Sequence, residues 1–173
     1  MNSSHEKILE SDPKWAEAYA EEAEKLRPVF GESLVEIEHI GSTSIPGLAA
    51  KPIVDIAVLI KNHEEADNFI EPLLALGYKF DREMHEKTEF PERHFFRKSE
   101  PTQFHLSIAY ADKAKFWPRQ ILFRDYLRSH PEDRDRYGEL KKKLLEADPT
   151  GVGSYISGKT EFVQEILNKA GFN

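Results

Sequence analysis

Residues 35–60 read VEIEHIGSTSIPGLAAKPIVDIAVLI, and the fold turns on this strand–loop–strand stretch. VEIEHI alternates, with Val35, Ile37 and His39 on one face and Glu36, Glu38 and Ile40 on the other. PIVDIAVLI is a nearly continuous β-branched run, the pattern of a strand covered on both faces. Asp55 is its one charge. The loop between is rich in Gly, Ser, Thr, Pro and Ala and carries one cation, Lys51. Small residues let a ligand approach the backbone closely. A carboxylate inside an apolar strand is costly unless it is paired, hydrogen-bonded or metal-bound. Together these features point to a site for phosphate and a divalent cation.

Outward from this stretch, the 173-residue length predicts one domain, 1–173, with its own core. The formal net charge of −7 argues against a nucleic-acid polymer as the main partner, since backbone phosphates need a basic surface. A small nucleotide needs only a local basic patch. The chain has no cysteine, which excludes disulfides, thiolate zinc sites and cysteine nucleophiles and fits a cytoplasmic protein. The opening segment MNSSHEKILESDPKW lacks the apolar core of a signal peptide. No apolar run approaches the roughly 20 residues of a membrane span, so no membrane partner is expected.

In chain order, Asp12-Pro13 reads as an N-cap and first helical residue. Trp15, Tyr19, Ala23, Leu26 and Phe30 then mark one helical face, and Gly31 ends it. Asn62 and Glu65 form a capping-box pattern for a helix reaching Leu76. A short strand is predicted at Tyr78–Phe80 and a charged loop over residues 81–92. His94–Lys98 and Gln103–Tyr110 read as an antiparallel pair joined by Ser-Glu-Pro-Thr. The remainder is helical. One helix carries Phe116, Phe123, Tyr126 and Leu127 up to His130-Pro131; a second carries Tyr137, Leu140, Leu144 and Leu145; a third spans about 157–170. The basic clusters between 134 and 143 read as solvated faces. Separate strand and helix blocks predict an α+β fold, a mixed sheet of four or five strands with helices packed on it and a helical C-terminal part.

The segments EHIGSTSIPGLAAKPIVDI, LGY, FHLSI and FRDYLRSHP, followed by Tyr155, Lys159 and Phe162, resemble the GrpB family in the same order. The resemblance runs from Pro13-Lys14-Trp15 to the last helix. It implies a nucleotidyltransferase-like fold and a family in which some members are fused to a dephospho-CoA kinase domain. Members of the wider superfamily carry a Gly-Ser turn and then a strand with acid–apolar–acid. Gly41-Ser42 and Asp55 match the turn and the first acid, but Ala57 stands at the second. Two-metal phosphoryl transfer relies on carboxylates bridging two cations about 4 Å apart, which one carboxylate and a methyl group cannot do alone. The superfamily's third acid comes from a later strand, here FHLSI. In it His105 and Ser107 share a face, Ser107 standing where the family often has a second His.

The expected site follows. Gly41, Ser42, Thr43 and Ser44 would hold phosphate through N–H and hydroxyl groups, with Lys51 neutralising charge. Asp55 would ligate Mg²⁺ or Mn²⁺, and His105 would act as second ligand or base. No organic cofactor is expected. Of Glu38 and His39, His39 is expected to face the site. Arg93 and Arg97 flank an aromatic pair and suit an anion, or line a solvated strand edge. Arg124 and Arg128, one helical turn apart, form either an ion-pair face or an anion clamp toward the loop. Tyr155 and Lys159 are likewise four apart and face one ligand or close the helix. Ser107 joins the possible substrate contacts. Two functions compete. One is binding of a nucleotide or phosphorylated metabolite with a divalent cation, transfer chemistry being weakened by Ala57. The other is a non-catalytic binding or protein-interaction module linked to coenzyme A or nucleotide metabolism.

Overall fold

The computed structural model describes residues 6–83, 93–113 and 115–172; most of the predicted 81–92 loop lies outside them. Helix α1 (Lys14–Phe30) starts after Asp12, whose carboxylate accepts the Lys14 N–H at 2.9 Å. Five strands follow: β1 (Leu34–Ile40), β2 (Ile53–Ile60), β3 (Lys79–Phe80), β4 (Arg93–Lys98) and β5 (Gln103–Tyr110). They form one mixed sheet in the order β1-β2-β5-β4-β3, with β2 and β5 parallel and the other pairs antiparallel. A 3₁₀ stretch (His63–Phe69) and the short helix α2 (Ile70–Ala75) link β2 to β3. Helices α3 (Phe116–Ser129), α4 (Pro131–Ala147) and α5 (Ser154–Lys169) complete the chain. This is the α+β architecture predicted, with three corrections. Asn62 makes no side-chain cap, and the stretch after it is 3₁₀ before it is α. The last helix begins at Ser154, where Asp148 accepts both the Ser154 hydroxyl and the Tyr155 N–H. A bulge between Leu34 and Glu36 removes Val35 from the alternation and leaves it half exposed.

The central strand β2 is covered on both faces, as its continuous apolar run requires. Its Val54, Ile56, Val58 and Ile60 enter the main core with Trp15, Leu26 and Phe30 of α1, Leu73 of α2, and Leu106 and Ile108 of β5. The opposite face carries Asp55 and Ala57. There Ala57 packs with Ile40, Ala109 and Phe116 at the foot of α3. A further core joins Ile45 and Leu48 of the 41–52 loop to Leu127, Tyr137, Phe162 and Ile166 of α3, α4 and α5. Gly158 permits the close crossing of α5 over α4, since a Cβ there would lie 2.4 Å from Leu144. The helical half thus presses the small-residue loop down beside Asp55. Among the described residues no helix is long and apolar enough to cross a membrane.

Candidate functional site

Gly41 terminates β1 with φ +72° and ψ −174°, a backbone region essentially reserved for glycine. A 3₁₀ turn (Ser42–Ser44) follows, closed by the Ser44 N–H and hydroxyl donating to the Gly41 carbonyl. A Cβ on Gly41 would lie 2.3 Å from Asp55 Oδ2. The turn and the carboxylate are therefore in contact, because β1 and β2 pair antiparallel with Ile40 opposite Asp55. Gly41→Ala is expected to cost about 1–3 kcal/mol from the backbone conformation alone and to displace Asp55. Denaturant melts measure the first effect; a loss below 0.5 kcal/mol would contradict the strained geometry.

Two adjoining cavities of about 300 and 380 Å³ open at this point and share Ser42, Asp55, Ile156 and Lys159. The first runs under α3 and α5 toward Arg119, Phe123 and Tyr137. The second is lined by Lys51, Arg97, His105, Lys141 and Tyr155. Its dominant group was not apparent from sequence. Lys141 of α4, within a basic cluster read as solvated, is only 2% exposed, and its Nζ donates to Ser42 Oγ at 2.9 Å. It lies 4.7 Å from the Tyr137 ring centre. Helical spacing carried the signal: Lys141 follows the inward-facing Tyr137 by four residues. Burial lowers its amine to about 7, with Lys159 and Lys51 acting in the same direction and Asp55 against. Burial and Lys51 likewise bring Lys159 down to about 8. Lys51 and Lys159 lie 4.4 and 4.5 Å from the Tyr155 ring centre, and Lys51 donates to the Gly151 carbonyl. Three amines thus converge on one turn and one carboxylate in an acidic chain.

Other expected residues lie elsewhere. His39 is on the opposite face of the sheet, stacked on Tyr19 at 5.0 Å between ring centres; the register puts Glu38, not His39, on the face of Asp55. Its Nε2 lies 2.9 Å from the Thr43 hydroxyl, which donates to the Ile53 carbonyl. Burial lowers the imidazole to about 4, so it is neutral and braces the loop. Thr43 and Ser44 are buried, and their hydroxyls donate to the Ile53 and Gly41 carbonyls respectively. Arg124 donates to Glu38 and to the His39 carbonyl, and Arg128 to the Ser44 carbonyl. Arg124 is thus ion-paired to Glu38 and Asp125 and tied to β1, Arg128 holds the loop at Ser44, and neither arginine lines the cleft, which is left to the lysines. Arg97 reaches the cleft while pairing with Asp81 at 3.0 Å.

The same geometry tests whether metal ions fit. His105 Nδ1 stands 3.5 Å from Asp55 Oδ1, set there by the parallel pairing of β2 and β5. Ala57 is fully buried, so no space remains beside Asp55 for the missing acid. Ser107, opposite Ala57, accepts Arg93 Nη1 at 2.7 Å. Among the described residues no group of three or more His, Asp or Glu is placed to hold a metal ion. This donor set does not fit a two-metal centre.

A mixed sheet with a Gly-Ser turn beside an acid on the next strand is a nucleotidyltransferase-like fold. The Cid1 poly(U) polymerase shares this fold, with a TM-score of 0.55 and 17% identity over 87% of this chain and 49% of Cid1. More narrowly, the chain belongs to the GrpB family, whose pattern, described as GrpB protein, matches residues 6–169. The crystal structure of the conserved protein GrpB from Enterococcus faecalis is similar with a TM-score of 0.85 and 34% identity, covering 95% of this chain and 96% of that one. The UPF0157 protein YqkA of Bacillus subtilis is 38% identical over 163 residues, which are 94% of this chain but 46% of YqkA, so the chain spans about half of that relative. A protein of Mycolicibacterium paratuberculosis named dephospho-CoA kinase is 25% identical over 95% of this chain and 46% of its own length.

Proposed function

We propose that this chain binds a nucleotide or another phosphorylated small molecule in the cleft between the Gly41–Ser44 turn and α5, without transferring its phosphate. The observation that carries the reading is the buried Lys141 amine on Ser42, flanked by Lys51 and Lys159. Lysine is a compact point charge suited to phosphate oxygens, and a chain of net charge −7 has no general reason to collect amines at one turn. The Ser42 hydroxyl and its backbone N–H complete the cradle. The half-exposed Ile156, with Phe123 and Val163, offers an apolar wall for a base or similar moiety. The buried methyl at Ala57 supports binding over catalysis, since the carboxylate pair for transfer chemistry is missing. The relative named dephospho-CoA kinase puts coenzyme A precursors beside nucleotides among the first ligands to screen.

Thermal melts against a panel of nucleotides, coenzyme A precursors and sugar phosphates test the reading. A ligand at one hundred times its Kd adds about 2.7 kcal/mol to stability, a shift of several degrees at this chain length. Labelled nucleoside triphosphates should bind or not bind, but not turn over. A flat response to every phosphorylated compound at millimolar concentration would remove the binding claim; transfer of label would remove the non-catalytic one.

A further inference from the structure

We propose that amines replace metal ions in this cleft, so that a di- or triphosphate chain binds to Lys51, Lys141 and Lys159 with no divalent cation between protein and ligand. The inference rests on the phosphate-binding reading above and goes beyond it. In a metal-dependent cleft, carboxylates gather round the phosphates and cations bridge the two sets of negative charge. Here the polarity of the wall is reversed. Asp55 and Glu6 are the carboxylates of the basic lobe, against Lys51, Arg97, Lys141 and Lys159.

The corner that would hold a second carboxylate is closed in two ways. Ala57 fills it with a methyl packed against Ile40, Ala109 and Phe116. Arg93 brings a fixed cation beside it, held by Ser107 and lying 4.6 and 4.8 Å from the ring centres of Phe95 and Phe116. Asp55 already acts on this guanidinium electrostatically. A divalent ion placed at Asp55 would therefore meet one carboxylate and several positive groups in a partly desolvated cleft, where like charges repel more strongly than in water. A phosphate chain meets the opposite situation. Each amine gains an anionic partner, and the mutual repulsion of Lys51, Lys141 and Lys159 is relieved. Three amines at separate points of one cleft match the several charges of a di- or triphosphate better than the single group of a monophosphate.

The test is calorimetric titration of the full chain with inorganic tripolyphosphate and with ATP, each in EDTA and in excess Mg²⁺. Binding in EDTA should equal or exceed that in Mg²⁺, because the ion neutralises the charge the lysines read. Lys141→Met and, separately, Lys159→Met should each weaken binding at least tenfold in EDTA while retaining a cooperative melt. An affinity more than threefold weaker in EDTA and restored by Mg²⁺ would overturn this inference and leave the phosphate-binding reading intact. Unchanged affinity in both lysine variants would also overturn it. Binding of neither probe under any condition would likewise overturn this inference, while the wider phosphate-binding reading stands or falls on the full ligand panel.

Discussion

Lys141→Met should melt about 4–8 °C above the parent protein at pH 6.5, with the gap closing as the pH approaches 10. The lysine is 2% exposed, and burial lowers its amine from 10.5 to about 7. Between those two values the unfolded chain holds a proton that the folded chain has released. Stability therefore rises with pH across that window. Below pH 7 both states carry the proton, and the whole cost of burying the charge falls on the folded state. The displacement alone corresponds to about 4–5 kcal/mol at low pH. Water penetration and the lost bond to Ser42, about 1 kcal/mol, halve it or more, leaving on the order of 2 kcal/mol, and each kcal/mol moves the melting temperature by about 2–4 °C at this length. Methionine fills the channel of the lysine stem without the amine. Lys159 has its own lowered value, about 8, so the variant should keep a weaker rise with pH. Melts from pH 6 to 10 are the measurement. A variant less stable than the parent at pH 6.5 would mean that the amine is a needed structural donor rather than a charge held in readiness for an anion.

That cluster also marks how far the sequence can be read. β2 and the turn before it were legible because apolar continuity and small residues are local signals, and the contact of Gly41 with Asp55 followed from joining two strands by one loop. The α+β class followed from separate blocks of period 2 and period 3.6. What stayed hidden were facts of register and helix orientation. Strand parity separated His39 from Glu38 correctly, but which of them shared the face of Asp55 depended on the pairing of Ile40 with Asp55. Lys141 was obscured by Lys142 and Lys143, which are a neighbouring surface group and an exposed one; only the position of Tyr137 on α4 distinguishes the inward lysine from the outward pair. Of the two readings of Arg124 and Arg128, the ion-pair face describes Arg124, which pairs with Glu38 and Asp125 and also donates to the His39 carbonyl, while Arg128 faces the loop but donates to the Ser44 carbonyl. A spacing pattern reports that two side chains share a face, and it says nothing of whether that face meets a ligand or the protein's own backbone.

Glu22→Ala should cost about 3–5 kcal/mol, the expected price of leaving a buried charge without its counter-ion. Glu22 sits on α1 with its side chain 3% exposed. Its Oε1 accepts both the Tyr78 hydroxyl at 2.8 Å and the Lys98 ammonium at 2.9 Å. Lys98 is 11% exposed and lies between the rings of Tyr78 and Phe104, 5.3 and 5.8 Å from their centres, so water offers it little compensation once the carboxylate is gone. The pair fastens the end of β4 to α1 on the face of the sheet remote from the cleft. The same strand carries Arg93 and Arg97 on the cleft side. Loss of the fastening should therefore loosen the cation wall as well as the core, and tripolyphosphate binding should weaken together with stability. Removing both charges, as Glu22→Leu with Lys98→Met, should restore most of the lost stability, because a well-packed apolar pair often equals or exceeds a buried ion pair. Tyr78→Phe should cost only about 1 kcal/mol, since the carboxylate keeps the lysine. Urea unfolding of the single and double variants measures the coupling. A double variant as unstable as Glu22→Ala would show that the loss came from the packing of Glu22 and not from the stranded charge of Lys98.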